Sequence, residues 1–185
     1  ISALPNIISR YPEVVYIVVG ATHPHVIQQE GETYRLSLQW LAQQKGVESN
    51  VIFYNRFVSL EELVEFISAA DIYITPYLNE AQITSGTLAY TLGAGKAVIS
   101  TPYWYAQEVL SEGRGVLVPF RDLAELAEQV INLLENEAER HAMRKRAYKF
   151  GRAMIWSEVA QRYMKSFKRA RAERRHYIPP NLSVK

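Results

Sequence analysis

The stretch Asn79–Thr101, NEAQITSGTLAYTLGAGKAVIST, holds the densest set of groups able to grip an anion. Thr84, Ser85 and Thr87 supply hydroxyls, and Gly86 between them has no side chain, so another molecule can approach the backbone closely. If Ser85 opens a helix, the first-turn N–H groups and the partial positive charge of the helix end point to the same place. Phosphate suits such a site. The same residues also fit a second description, in which Thr84 or Ser85 only caps its own helix. Gln82 and Tyr90 flank the segment with an amide and a phenol. A second polar cluster, Ala21-Thr22-His23-Pro24-His25, offers His23 as a hydrogen-bond donor, whereas His25 reads as a loop residue bonding local backbone. With no acid or thiolate beside them, the two histidines do not read as a metal site.

These groups need elements to hold them. Leu88 and Leu92, four apart, predict a helix over 85–94 that Gly93 and Gly95 end. Ala70–Pro76 before it reads as a strand stopped by proline, and Ala97-Val98-Ile99 after it as the start of a buried strand. Strand, loop, helix, strand describes a parallel α/β unit, and open sheets of this kind bind ligands at the carboxyl ends of their strands. Val14–Gly20 is a run of β-formers with no polar alternation and predicts a central strand covered on both faces. Residues 32–45 carry Tyr34, Leu38 and Leu41 at helical spacing and stop at Gly46. Val51–Tyr54 reads as a strand, followed by Arg56-Phe57-Val58. Ser59 and Glu62 have capping-box spacing for a helix whose inner face is Leu60, Leu63, Val64 and Ile67. Further on come the aromatic run Tyr103-Trp104-Tyr105, Glu108 as a first-turn acid, and a last strand at Val116-Leu117-Val118. Then follow helices over 123–135 (with Leu123 inward), 137–150 and 156–174. Residues 1–175 read as one domain, and 176–185, with Pro179-Pro180, as a tail or linker.

Composition narrows the function classes. At 185 residues and 48% apolar content the chain can bury a sizeable core. A net charge of +2 makes no demand for nucleic acid, and the basic stretch 140–175 reads as solvated helix faces. The absence of cysteine excludes disulfides and thiolate metal sites and accords with a reducing, cytoplasmic setting. No apolar run has the length of a membrane span.

The order and spacing of these motifs resemble the C-terminal, donor-binding half of the large retaining glycosyltransferase family of the group 1 type, which has two Rossmann-like domains. The resemblance rests on Ser68-Ala69-Ala70-Asp71, on Gly95-Lys96-Ala97-Val98-Ile99-Ser100-Thr101, on Glu108, and on Gly115-Val116-Leu117-Val118-Pro119, and it covers roughly residues 4–170. It implies one half of a B-type glycosyltransferase fold, a Rossmann-like parallel sheet with helices on both faces. It implies a nucleotide-sugar donor as substrate, no cofactor or metal, an acceptor of unknown class, and an acceptor-binding domain not in this sequence. It also implies a strand ahead of Ile1-Ser2-Ala3-Leu4 that carries basic residues toward the diphosphate. In the family two glutamates are eight apart before the glycine. Counting back from Gly95 puts Gln82 and Tyr90 there, with Gln82 at the catalytic position near the sugar and Tyr90 near the ribose. Arg56 and Phe57 fall beside the nucleotide base, His23 faces the donor, and Trp104 and Tyr105 stand where the family has a glycine pair. The last helix implies a partner in the absent domain.

An active glycosyltransferase is one reading. A fold kept for binding after loss of catalysis is another, supported by the replacement of both glutamates. A nucleotide-sugar epimerase of the same two-domain layout is a third. A dehydrogenase is disfavoured, because no Gly-x-Gly-x-x-Gly follows any strand.

Overall fold

The computed structural model describes residues 1–176, and the expected tail lies almost wholly outside them. Strands and helices alternate along the chain: α1 (Leu4–Ile8), β1 (Tyr16–Val19), α2 (Pro24–Glu30), α3 (Thr33–Gln44), β2 (Val51–Tyr54), α4 (Leu60–Ala69), β3 (Ile72–Thr75), α5 (Gly86–Gly93), β4 (Ala97–Ser100), α6 (Trp104–Val109) and β5 (Val116–Leu117). Three helices close it: α7 (Leu123–Glu135), α8 (Glu137–Gly151) and α9 (Trp156–His176). All strand pairs are parallel. Ile72 stands opposite Ala97, Ile74 opposite Ile99 and Thr75 opposite Ser100.

Successive residues of a strand face opposite ways, and the two cores follow from that. Ile72, Ile74, Ala97 and Ile99 pack into one cluster with Leu4 and Ile7 of α1, Ala42 of α3, and Ala127, Val130 and Leu133 of α7. Tyr73 and Val98 point the other way, into a cluster with Leu88 and Leu92 of α5, Tyr103, Ala106 and Ala147 of α8. Every residue of β4 is buried, so β4 is the strand covered on both faces.

Burial was expected of β4 and cover on both faces also of β1; for β1 the structure corrects the expectation. β1 pairs only with β2, and the ladders form two separate groups, β1-β2 and β3-β4-β5. Tyr16 and Val18 face the core, but Ile17 on the opposite face is 44% exposed. An unbroken apolar run shows that a strand is a strand; it does not say which neighbours arrive to cover it. Three smaller corrections follow. Pro24 and His25, read as part of a loop, open α2. Leu123, Leu60 and Val64 are largely exposed rather than inward. Glu108 lies in the last turn of α6, whose first turn holds no acid.

The α5–α8 contact is unusually close. A methyl placed on Gly151 of α8 would sit 2.7 Å from the Gly93 nitrogen and 2.8 Å from its Cα. Gly95, at φ +65°, turns the chain from α5 into β4, and a Cβ there would meet Tyr148 Cβ at 2.9 Å. Backbone atoms cannot step aside, so Gly151→Ala should cost roughly 1–3 kcal/mol by overpacking. The expected readout is a lower urea midpoint with an unchanged slope; an unchanged midpoint would show that the two helices separate freely.

α9 is solvent-exposed along most of its length, with Tyr163 and Phe167 ring centroids 6.0 Å apart on one side. Its amides should exchange hydrogen faster than those of β4 when the chain is studied as residues 1–185. Equal protection would count against an unpartnered helix.

Candidate functional site

The site is built from loops that follow the carboxyl ends of β1, β2, β3 and β4. The loop after β3, residues 76–85, is the most firmly specified. Its polar backbone is satisfied from the N-terminal turn of α6: Trp104 N–H donates to Glu80 O at 3.0 Å, and Tyr105 N–H donates to Gln82 O at 3.2 Å. Thr101 Oγ1 donates to Tyr77 O, and Asn79 Oδ1 accepts from Ala81 N–H at 3.1 Å. Beneath the loop the fully buried Tyr103 lies with its ring 5.3 Å from that of Tyr77, and its hydroxyl stands 3.5 Å from Thr75 Oγ1.

From this loop the chain enters α5 as the serine-glycine pair predicts. Ser85 is the N-cap, in extended conformation, and its Oγ accepts from Leu88 N–H at 3.3 Å. Ser85 is therefore a structural cap, and Thr87 Oγ1 lies 3.4 Å from it. Gly86 N–H and Thr87 N–H find no hydrogen-bond partner among the described residues. Nothing lies within 4 Å of where a Gly86 side chain would begin, so the backbone there is approachable. Thr84 is exposed, and its carbonyl takes the Gln82 side-chain amide at 3.0 Å. Tyr90 lies one turn along α5 and is 45% exposed.

On the β1 side, His23 is the N-cap of α2, and its Nδ1 accepts from His25 N–H at 3.2 Å. An accepting Nδ1 fixes the tautomer with its proton on Nε2, which is thus available as a donor. A cavity of about 240 Å³ opens between β1, β2 and α3, lined by Gly20, Thr22, Arg35, Leu38, Phe53 and Asn55. Its polar wall is ordered by Glu32, which accepts from Arg35 Nε at 2.6 Å and from Thr22 Oγ1 at 3.2 Å.

After β2, the structure separates Arg56 from Phe57. The Arg56 guanidinium is engaged by the Tyr54 hydroxyl and the Glu62 carboxylate, and it stands over the Tyr54 ring at 4.8 Å. Its Nε and Nη2 brace the loop, while the side chain stays about half exposed. Phe57 is 89% exposed, so it is not a core residue. Two further features were not read from the sequence. One is the pinning of the loop by the α6 backbone, which no side-chain pattern encodes. The other is Glu80, an exposed carboxylate two residues from Gln82 with no ion-pair partner among the described residues. Among those residues no group of three His, Cys, Asp or Glu side chains is placed to hold a metal, and no helix is long and apolar enough to cross a membrane.

A parallel α/β domain with helices packed on its strands defines a Rossmann-like half. Comparison with known proteins fixes the family. Residues 1–150 match the model of the glycosyl transferases group 1 family, and the chain belongs to that family. It is 24% identical over 168 residues to the phosphatidyl-myo-inositol mannosyltransferase of Mycolicibacterium smegmatis, covering 90% of this chain and 40% of the relative. It is 25% identical to the D-inositol 3-phosphate glycosyltransferase of a Nocardioides species, covering 95% and 39%. Sucrose-phosphate synthase from Thermosynechococcus elongatus shares the fold with a TM-score of 0.75 at 21% identity, over 92% of this chain and 42% of that one. Anabaena HepE, solved in complex with UDP-glucose, superposes with a TM-score of 0.74 at 17% identity, over 90% and 44%. The chain thus spans about two-fifths of the length of these relatives.

The Glu62 clasp gives a test of how the loop after β2 is held. Glu62 Oε2 accepts from Ser59 N–H at 3.0 Å, and Glu62 N–H donates to Ser59 Oγ at 3.2 Å. The Ser59 N–H, and then Arg56, hold the Glu62 carboxyl below the ordinary carboxylate range. A carboxylate whose folded pKa is depressed contributes stability above its unfolded value and loses it as pH falls through the folded one. Exchange protection at the start of α4 should therefore hold at neutral pH and fall once pH drops below the ordinary glutamate value. Glu62→Gln should flatten that profile; identical profiles in parent and variant would remove Glu62 from the loop's support.

Proposed function

We propose that this chain is the donor-binding half of a glycosyltransferase that takes a nucleoside diphosphate sugar and transfers the glycosyl group with retention of anomeric configuration. The observation that carries the reading is the start of α5. Two N–H groups without a partner among the described residues and an approachable Gly86 follow the carboxyl end of a parallel strand, with Thr84 exposed beside them, in a chain of the group 1 family. UDP and UDP-glucose in the HepE structures support a nucleotide donor.

In this mechanism the chain acts on the leaving group. Breaking the glycosidic bond leaves the bonding pair on the diphosphate, and first-turn N–H groups of a helix stabilise that charge where it develops. His23 Nε2–H donates to the diphosphate or to a sugar hydroxyl. Gln82, its side chain held by Thr84 O, presents its amide to the sugar. The Tyr90 hydroxyl makes one hydrogen bond to the ribose, where a carboxylate would make two. Phe57 lies against the base, and Arg56 keeps Phe57 in place without touching the donor. The acceptor is bound by a second domain of the whole protein. The nucleotide sugar is a substrate, and no resident cofactor or metal is invoked. In an inactive binding module Gln82 would be free to vary without effect, so transfer by the whole protein separates the two readings.

The test is calorimetric titration of the whole protein with UDP and other nucleoside diphosphates, followed by transfer assays with the corresponding sugars. Gly86→Val should weaken diphosphate binding by about tenfold or more, or roughly 1.4 kcal/mol. Gly86→Ala should leave the folding midpoint near the parent's, because a Cβ there meets nothing. Ser85→Ala should lower stability by about 1 kcal/mol through loss of the cap and weaken binding less than Gly86→Val. Gln82→Ala should lower transfer while sparing affinity for the free diphosphate. Unchanged diphosphate binding in Gly86→Val would reduce the α5 start to an ordinary cap and move the site toward His23.

A further inference from the structure

Tyr103, Trp104 and Tyr105 follow one another at the start of α6, and the fold uses the first two in opposite ways. Tyr103 is fully buried beneath the loop after β3, whereas Trp104 is 55% exposed. Trp104 is fixed through its backbone. Its N–H donates to Glu80 O at 3.0 Å, and Tyr105 N–H donates to Gln82 O at 3.2 Å, so the start of α6 and the loop lie side by side. Leu78 and Ile83 of the same loop are largely exposed. Three large apolar side chains thus stand on two short segments that hydrogen-bond to each other. Glu80 lies between Leu78 and Ile83 in the chain and beside Trp104 through that backbone bond. It is exposed and has no ion-pair partner among the described residues.

An apolar patch rimmed by polar groups marks a binding surface, and the carboxylate decides which kind of occupant fits. A lipid chain laid on Trp104 would bring hydrocarbon against the Glu80 charge and leave it without a partner, which is costly. A wholly polar ligand would leave the indole and the two aliphatic side chains in water. A pyranose ring meets both demands. Its C–H face carries partial positive charge and suits the electron-rich face of an indole. Its hydroxyls donate to a carboxylate, which can only accept. Gln82 joins this patch to the start of α5: its carbonyl is held by Tyr105 N–H, and its side-chain amide is held by Thr84 O at 3.0 Å.

We propose that Trp104 and Glu80 form a saccharide subsite beside the first turn of α5, in which the indole stacks on a pyranose ring and the Glu80 carboxylate accepts hydrogen bonds from its hydroxyls. The saccharide is the acceptor. The second domain supplies the rest of its contacts, and this half supplies one wall. Calling the saccharide an acceptor rests on the donor-binding function proposed above; the subsite itself does not.

The experiment uses the whole protein and follows the indole N–H resonance of Trp104, assigned by its loss in Trp104→Phe. The probes are methyl α-glucopyranoside, methyl α-mannopyranoside and maltose, each with and without UDP, and n-octanol as a purely apolar probe. The expected result is a saturable shift with at least one of the saccharides and none with octanol. Trp104→Ala should weaken that saccharide about tenfold. Trp104→Phe should weaken it less, because a ring face remains. Glu80→Gln should weaken it by roughly threefold or more, because a neutral amide accepts more weakly than a carboxylate. All three variants change exposed side chains, so each should keep the urea midpoint and the UDP affinity of the parent. A shift with octanol alone, equal saccharide affinity in the parent and Trp104→Ala, or no response to any of the saccharides would overturn the proposal. Failure of UDP to bind the parent would strike the donor-binding function, while the titrations without nucleotide still decide the subsite.

Discussion

The approach of Gly151 to Gly93 decides how α5 sits. With no side chains between them, α8 holds α5 close, and Leu88 and Leu92 sink fully into the second core. Burying two leucines contributes roughly 1.5–3 kcal/mol each relative to exposure, and that contribution depends on the close seat. The first turn of α5 combines two surfaces: Gly86 has nothing packed where a side chain would begin, while Leu88 fixes the same turn in the second core. The glycine contact at the rear of the helix lets Leu88 and Leu92 reach that core together.

The loop before α5 solves a different problem. Residues 77–84 carry exposed apolar side chains, Leu78 and Ile83 among them, and no regular structure. Such a segment stays in place only if its carbonyls find donors, and here the donors are the free N–H groups at the start of α6. One helix N-terminus is thus consumed in shaping the site while another is left open in it. The same chemistry that makes helix ends attractive to ligands makes them useful as internal anchors, and the local sequence does not distinguish the two uses.

This explains what could be read in advance. The strand–loop–helix–strand core, the Ser85 cap, the Ser59–Glu62 capping box and the parallel architecture are written in local periodicity and capping chemistry, and the structure has each of them. The burial of β4 was legible in the apolar run Ala97-Val98-Ile99; that β1 is less fully covered was not, because coverage depends on which distant helices arrive. The pairing of Arg56 with Glu62 was not legible, because Glu62 is six residues away across a turn and the pairing needs the start of α4 to be placed first. Phe57 could have been packed or exposed from sequence alone; only the path of the backbone after Tyr54 decides it.

α6 also works as a rigid strut. At one end Arg114, itself almost wholly buried, donates from Nε to Val109 O at 2.7 Å and lies 4.1 Å above the Phe150 ring, fastening the C-terminal turn of the helix to α8. At the other end its first N–H groups carry Glu80 and Gln82. Six helical residues span about 9 Å, too short a rod to bend appreciably. The position of the Gln82 loop is therefore registered mechanically against α8, the same helix that seats α5 through Gly151. The two halves of the candidate surface, the loop and the helix start, share one foundation, and a shift of α8 would displace them together rather than pull them apart.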